Sequence, residues 1–149
     1  MTDIDRRRLL TAAAPIAAAT ALVGLAGPAG AQGTGALTLI EPVRFLDSRV
    51  QEPDKYGPGA NDNVLVPGLA GHAGALINLT VTETEGAGFF RIARTAVIPP
   101  PTSNINWWGS DQTLANLAVV DTGGASGVNI LSGGLGRAHL ILDLLGYVG

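Results

Sequence analysis

Leu76-Ile77-Asn78-Leu79-Thr80-Val81-Thr82 alternates apolar and polar residues without a break. Successive side chains of an extended chain point to opposite faces. Ile77, Leu79 and Val81 therefore share one face, and Asn78, Thr80 and Thr82 the other. This pattern predicts a strand with one buried face. Further on, Ala138-His139-Leu140-Ile141-Leu142-Asp143-Leu144-Leu145 is nearly continuous in apolar residues, which predicts a central strand covered on both faces. Shorter runs with strand character lie at Leu37–Ile40, Val43–Ser48, Asn63–Val66, Phe89–Ala93, Asn104–Trp108, Leu114–Val120 and Val128–Leu131. Turn-forming clusters separate them: Tyr56-Gly57-Pro58-Gly59, Glu85-Gly86-Ala87-Gly88, Pro99-Pro100-Pro101, Thr122-Gly123-Gly124 and Ser132-Gly133-Gly134. Gln51 to Asp62 is the longest polar stretch and reads as a surface loop. Short strands with glycine turns between them predict an all-β, single-domain antiparallel β-sandwich, or a barrel-like relative, of about eight to nine strands.

The segment before these strands has a different character. Arg6-Arg7-Arg8 precedes an uncharged, alanine-rich stretch from Thr11 to Gly27, and Ala29-Gly30-Ala31 supplies a small-x-small cleavage pattern. Residues 1–31 are expected to be a signal peptide of the twin-arginine type, and residues 32–149 the all-β domain. Pro15, Gly24 and Gly27 interrupt the apolar run, so no stable membrane span is expected after processing. Removal of the leader takes Arg6, Arg7, Arg8, Asp3 and Asp5 with it and moves the net charge from −3 to −4. The expected location is exported, either periplasmic or extracellular.

Composition narrows the chemistry. The 149 residues include 21 Gly, 9 Pro and no Cys, and only 14% are charged. The lack of cysteine excludes disulfides, thiol nucleophiles and thiolate metal sites. No basic run lies outside the leader, which argues against nucleic acid as a partner. Two histidines leave little for acid–base or metal chemistry, and neither a cofactor nor a metal is assigned.

Four blocks carry a family resemblance. Pro42-Val43-Arg44-Phe45-Leu46-Asp47-Ser48-Arg49 is the first. Ile77-Asn78-Leu79-Thr80-Val81-Thr82 with the Gly86–Phe90 hairpin is the second. Thr102-Ser103-Asn104-Ile105-Asn106-Trp107 with Gln112-Thr113-Leu114-Ala115-Asn116 is the third, and His139-Leu140-Ile141-Leu142-Asp143 with Gly146-Tyr147 the fourth. In order and spacing they resemble an all-β module of secreted bacterial proteins, mainly of actinobacteria. That module occurs singly, in tandem, or fused to exported peptidases and wall amidases. The chain departs from it at Leu145, where the family commonly has Asn, and in the short Pro99–Pro101 segment. The resemblance implies an extracytoplasmic, non-catalytic module and supplies no catalytic residue to carry over.

Each chemically suggestive group also has a structural reading. Val119-Val120-Asp121-Thr122-Gly123 resembles the apolar-apolar-D-T-G pattern of aspartic proteases, but Gly124 breaks the usual continuation and a turn between two strands explains it without catalysis. His139 and Asp143 sit four residues apart on one strand, about 13 Å, too far for a mutual hydrogen bond. They are expected to bond to turns. His72, in Gly71-His72-Ala73-Gly74, is expected to be solvated. On a single Val43–Arg49 strand, Arg44 and Ser48 share one face while Asp47 and Arg49 share the other. An Asp47–Arg49 pair that fixes register is favoured over anion binding by Arg44 or Arg49. Asn78, Asn104, Asn106 and Asn116 are unusual in strands and are expected to satisfy backbone groups at bulges and turns. Calcium, with Asp111 and Asp121 as additional ligands, is the alternative for that set.

Trp107 and Trp108 are adjacent, so one is expected in the core and the other outside. The structural alternative packs Trp108 under Pro99–Pro101. Outward, Trp108 with Tyr56 or Tyr147 would form a sugar-stacking surface. The functional expectation is a structural or adhesive module at the cell surface or in the periplasm, with cell-wall glycan or another surface protein as partner. A glycan-binding module is the alternative, and a hydrolase using His139 or Asp121 the second. Self-association is a further expectation, because few charges guard the strand edges.

Overall fold

A computed structural model describes residues 35–51, 54–95 and 102–149. Met1–Ala31, where the signal peptide is expected, and the Pro99–Pro101 segment lie outside the described residues. In chain order the elements are β1 (Leu37–Asp47), α1 (Ser48–Gln51), β2 (Asn61–Leu65), β3 (Gly74–Glu85), β4 (Gly88–Arg94), β5 (Ile105–Trp107), β6 (Leu114–Asp121), β7 (Gly127–Gly134) and β8 (Arg137–Val148). The strands build two antiparallel four-stranded sheets, ordered β1-β8-β3-β6 and β2-β7-β4-β5. The fold is an all-β sandwich.

The alternation that predicted β3 governs its packing. Ile77, Leu79 and Val81 are fully buried between the sheets, while Asn78, Thr80 and Thr82 face outward and are part-exposed. β8 lies between β1 and β3, and both of its faces are covered: Leu140, Leu142 and Leu144 face the core, and Ile141 on the outer face is only 6% exposed. The second sheet contributes Phe90, Ile92, Ile105, Trp107, Val128 and Ile130 to the same core. The Phe90 ring lies 5.1 Å from Trp107 and 5.9 Å, edge-on, from Tyr56. Trp107 fits because residue 88 is glycine; a Cβ there would sit 2.4 Å from Trp107 Cζ2.

Several boundaries differ from the sequence reading. Leu37–Ile40 and Val43–Ser48 join into one strand whose pairing with β8 slips between Leu39 and Val43 and again between Arg44 and Leu46. Pro42 falls in the first irregularity, on an edge strand, where a missing N–H costs no ladder bond. Ser48 opens a helical turn instead of ending a strand. Asp47 Oδ1 accepts the Arg49 N–H at 3.2 Å, and Gln51 Oε1 accepts the Asp47 N–H at 2.6 Å, a reciprocal cap that turns the chain out of the sheet. Asn104 and Trp108 flank β5 and are not part of it. β1 starts against Val148 and ends against Ile141, so α1 stands at the opposite end of the sandwich from Gly149, whose N–H donates to Ala36 O at 3.3 Å.

Candidate functional site

The densest polar group among the described residues gathers around α1. Ser48 is fully buried. Its Oγ accepts the Leu140 N–H at 2.9 Å and lies 3.0 Å from His139 Nδ1. With the Leu140 N–H on one Oγ lone pair, Oγ and Nδ1 share a hydrogen bond that either can donate, and His139 Nε2 faces Glu83 Oε2 at 4.0 Å. Glu83 reaches that position from a left-handed backbone, φ 52°, where the β3–β8 register slips between Thr82 and Glu85. The result is a serine, a histidine and a carboxylate in line. In a hydrolase of that kind the serine must meet its substrate. Here Ser48, the first residue of α1, is fully buried and bonded to scaffold groups, so the array fastens α1 to β8.

Around it, Arg44 Nε donates to Asp143 Oδ1 at 2.8 Å across the β1–β8 pair. Arg49 Nη2 reaches Asp47 Oδ2 at 2.6 Å, and Arg44 Nη1 lies 3.6 Å from the same oxygen. The Asp47–Arg49 pair therefore forms, but across the first helical turn and not along one face of a strand. The slip between Arg44 and Leu46 brings Arg44 to Asp47, which strict alternation had placed on opposite faces. His139 bonds to α1, whereas Asp143 bonds to a neighbouring strand and not to a turn. The Arg49 guanidinium holds the Asp47 carboxyl down to about 2, against the opposing effect of burial. Hydrogen bonds to Asp143 and Asp47 raise Arg44 and Arg49. At the same end, Lys55 and Arg137 both grip Glu85, at 2.7 and 2.6 Å, and hold it at about 2.

The asparagines divide into two pairs. Asn104 Oδ1 accepts the Ile92 N–H at 2.7 Å, and Asn116 Nδ2 donates to Asn104 O at 2.6 Å, tying the β6 edge to the β5 edge. These two satisfy backbone groups as expected. Asn78 reaches Thr80 Oγ1 at 3.5 Å and Asn106 reaches Ser103 Oγ at 2.8 Å, so these two serve side chains. Asp121 Oδ1 accepts the Gly123 N–H at 2.8 Å and Thr122 is buried, which makes Asp121-Thr122-Gly123 a turn. Among the described residues no group of three or more His, Cys, Asp and Glu side chains gathers as a metal site would require.

The aromatic side chains do not converge. Trp108 is 74% exposed, while Trp107 is core. The Tyr56 hydroxyl donates to Asp62 Oδ2 at 2.9 Å and its ring lies on Phe90. The Tyr147 hydroxyl donates to Pro67 O at 2.6 Å, and its ring stacks on His72 at 4.5 Å. His72 is thus half-buried against Tyr147, not solvated, because the Leu69–His72 turn folds back onto the sandwich end. Tyr147 pairs with Ala75 and Trp108 follows the Trp107–Gly88 pair near Thr84, so the two lie roughly nine strand residues, about 30 Å, apart. At the Tyr147 end an open apolar hollow is lined by Leu65, Val66, Pro67, Gly68, Leu69, Ala70 and Ser126.

Sequence reasoning missed Ser48, Glu83, Glu85 and Asn129. No protein-family model matches the chain, and no curated protein matches it.

Proposed function

We propose that the chain is an exported, non-catalytic β-sandwich module that serves a structural or adhesive role at the cell surface or in the periplasm. The observation that carries this reading is that Ser48 is fully buried with its Oγ 2.9 Å from the Leu140 N and 3.0 Å from His139 Nδ1, so both side chains are occupied by the scaffold. The polar residues that invite a catalytic reading are struts. Asp47 and Glu85 are both held charged by cations, the reverse of what a proton-donating acid needs. Exposed Leu39, Leu117, Val119 and Trp108 offer apolar contact area for a partner surface. The expected leader over residues 1–31 and the four-block resemblance support the location.

The test has two parts. Expression of the full chain followed by fractionation should place the protein outside the cytoplasm, shortened by the leader. In a deletion strain, the Ser48→Ala/His139→Gln double variant, if folded by its melting profile, should restore envelope integrity or adhesion as wild type does. A folded variant that fails to restore them would assign chemistry to the pair and end this reading. A second reading, glycan binding through Trp108, draws on that side chain's exposure. It loses its other two aromatics, since Tyr56 and Tyr147 are committed elsewhere.

A further inference from the structure

Each sheet has two edges, and three of the four are blunted. β1 carries Glu41, Pro42 and Arg44 and slips twice against β8. β2 has five residues, Asp62 among them, and β5 only three. Short strands, charges, prolines and irregular pairing are the ordinary guards of an edge. β6 has none of them along its length. Its eight residues pair with β3 without a slip, and Asp121 at its end is its one charged residue. Among the described residues β3 is its only neighbour in the sheet. Its outward side chains are apolar as well: Leu117 is 56% and Val119 66% exposed.

The register fixes which backbone groups of β6 are unpaired. Thr122 continues the β3–β6 ladder opposite Ala73 and donates its N–H to Ala73 O at 2.9 Å. Antiparallel pairs alternate between residues that exchange hydrogen bonds and residues whose N–H and C=O point away. Ala118 and Val120 therefore bond to β3, while Ala115, Leu117, Val119 and Asp121 turn both backbone groups toward the open edge. The residues whose backbone groups have no strand partner among the described residues thus include the two with the exposed apolar side chains.

We infer that two copies of this chain pair antiparallel through β6 about a two-fold axis, joining their β1-β8-β3-β6 sheets into one continuous sheet. With the axis at Ala118, Leu117 of each copy stands opposite Val119 of the other, and Ala115 opposite Asp121. Every outward N–H and C=O from Ala115 to Asp121 then has a partner. The four apolar side chains cover one another on one face, and no acid meets an acid. Any other edge of a second copy would offer β6 a proline, a slip or a short strand, so a second β6 is the occupant that fits. The pairing uses up both open edges, so association closes at two copies. The inference goes beyond the proposed role, since it depends neither on location nor on the absence of catalysis.

The test is sedimentation equilibrium of protein purified after expression of the full chain, with amide hydrogen exchange as the local readout. The weight-average mass should double between about 1 μM and about 1 mM, as for a contact of modest strength. Over that range the Leu117 and Val119 amides should slow their exchange about tenfold or more, while Ala118 and Val120, already bonded to β3, should change by less than about twofold. Val119→Pro removes only an outward N–H, which an edge strand tolerates, and should hold the protein monomeric with its melting profile kept. Leu117→Lys/Val119→Lys should do the same by charge, and decides if the proline variant fails to fold. Leu39→Lys, on the β1 edge, should leave the dimer intact. A monomer at every concentration, a dimer that persists in the lysine double variant, or growth past two copies would each overturn the inference and leave the adhesive module standing. Retention of the chain in the cytoplasm would overturn that module's location and leave the dimer untouched.

Discussion

Replacing Ser48 by Ala tests whether this buried hydroxyl is a strut or a reagent. The substitution removes one oxygen from a fully buried site and leaves two polar groups without their partner. The Leu140 N–H, 2.9 Å away on a fully buried residue, loses its acceptor, and His139 Nδ1, 3.0 Å away, loses the hydroxyl. A buried donor or acceptor left unpaired costs roughly 1–3 kcal/mol. The His139 ring is 7% exposed and recovers part of its loss through water, so the expected total is about 2–4 kcal/mol. For a domain of this size about 1 kcal/mol corresponds to ~4 °C, so the melting temperature should fall by roughly 8–16 °C. Urea unfolding followed by far-UV circular dichroism gives the free energy. Hydrogen exchange at Leu140 reports the site, since its amide should lose protection before its β8 neighbours do. A loss below about 0.5 kcal/mol would refute the reasoning, because it would mean that the hydroxyl holds nothing in place.

Three further outcomes follow from the same geometry. Asp47 and Glu85, ordinarily 3.8 and 4.5, are each held at about 2 in the folded state, so the stability they contribute is present above their unfolded values and is lost as the pH falls toward 2. Thermal melts should show this decline below about pH 5, and the Asp47→Asn/Glu85→Gln pair should flatten it; an unchanged slope would contradict the ion-pair assignment. Asn104→Ala removes the acceptor of the Ile92 N–H and should cost about 1–3 kcal/mol in urea unfolding, while Asn104→Asp, which keeps an acceptor oxygen, should cost less. Gly88→Ala would drive a methyl to within 2.4 Å of Trp107 and 2.9 Å of Gly133 O, so a loss of about 1–3 kcal/mol and a shifted Trp107 fluorescence are expected; a neutral result would deny the tight contact.

The strands were largely legible because burial imposes a period of two on β3 and continuous apolarity on β8. Neither pattern needs tertiary detail to be read. The irregular positions were not legible. Two register slips between β1 and β8 and two between β3 and β8 change which residues meet across the strands, and a slip leaves no mark on the alternation that comes before it. For that reason Arg44 meets Asp47, and Glu83 swings toward His139. The cap at α1 did leave a signal, Asp47 followed four residues on by Gln51, but the apolar run Val43–Leu46 masked it as a strand end. Asn129 went unnoticed because its three acceptors come from β2, more than sixty residues earlier. The aromatic residues were misjudged as a group. Exposure of Trp108 follows from its adjacency to Trp107, but the positions of Tyr56 and Tyr147 depend on which sandwich end each strand terminates at.

The backbone bond from Gly149 to Ala36 brings the two limits of the folded unit side by side, at the pole away from α1. Whatever is joined ahead of Gly35 or behind Gly149 emerges from that one pole. Copies strung in series would therefore hang as pendants from a common thread, not stack as rods end to end. Pulling on both limits would load the β1–β8 ladder in its unzipping direction, one bond at a time. The α1 pole would stay turned outward under tension.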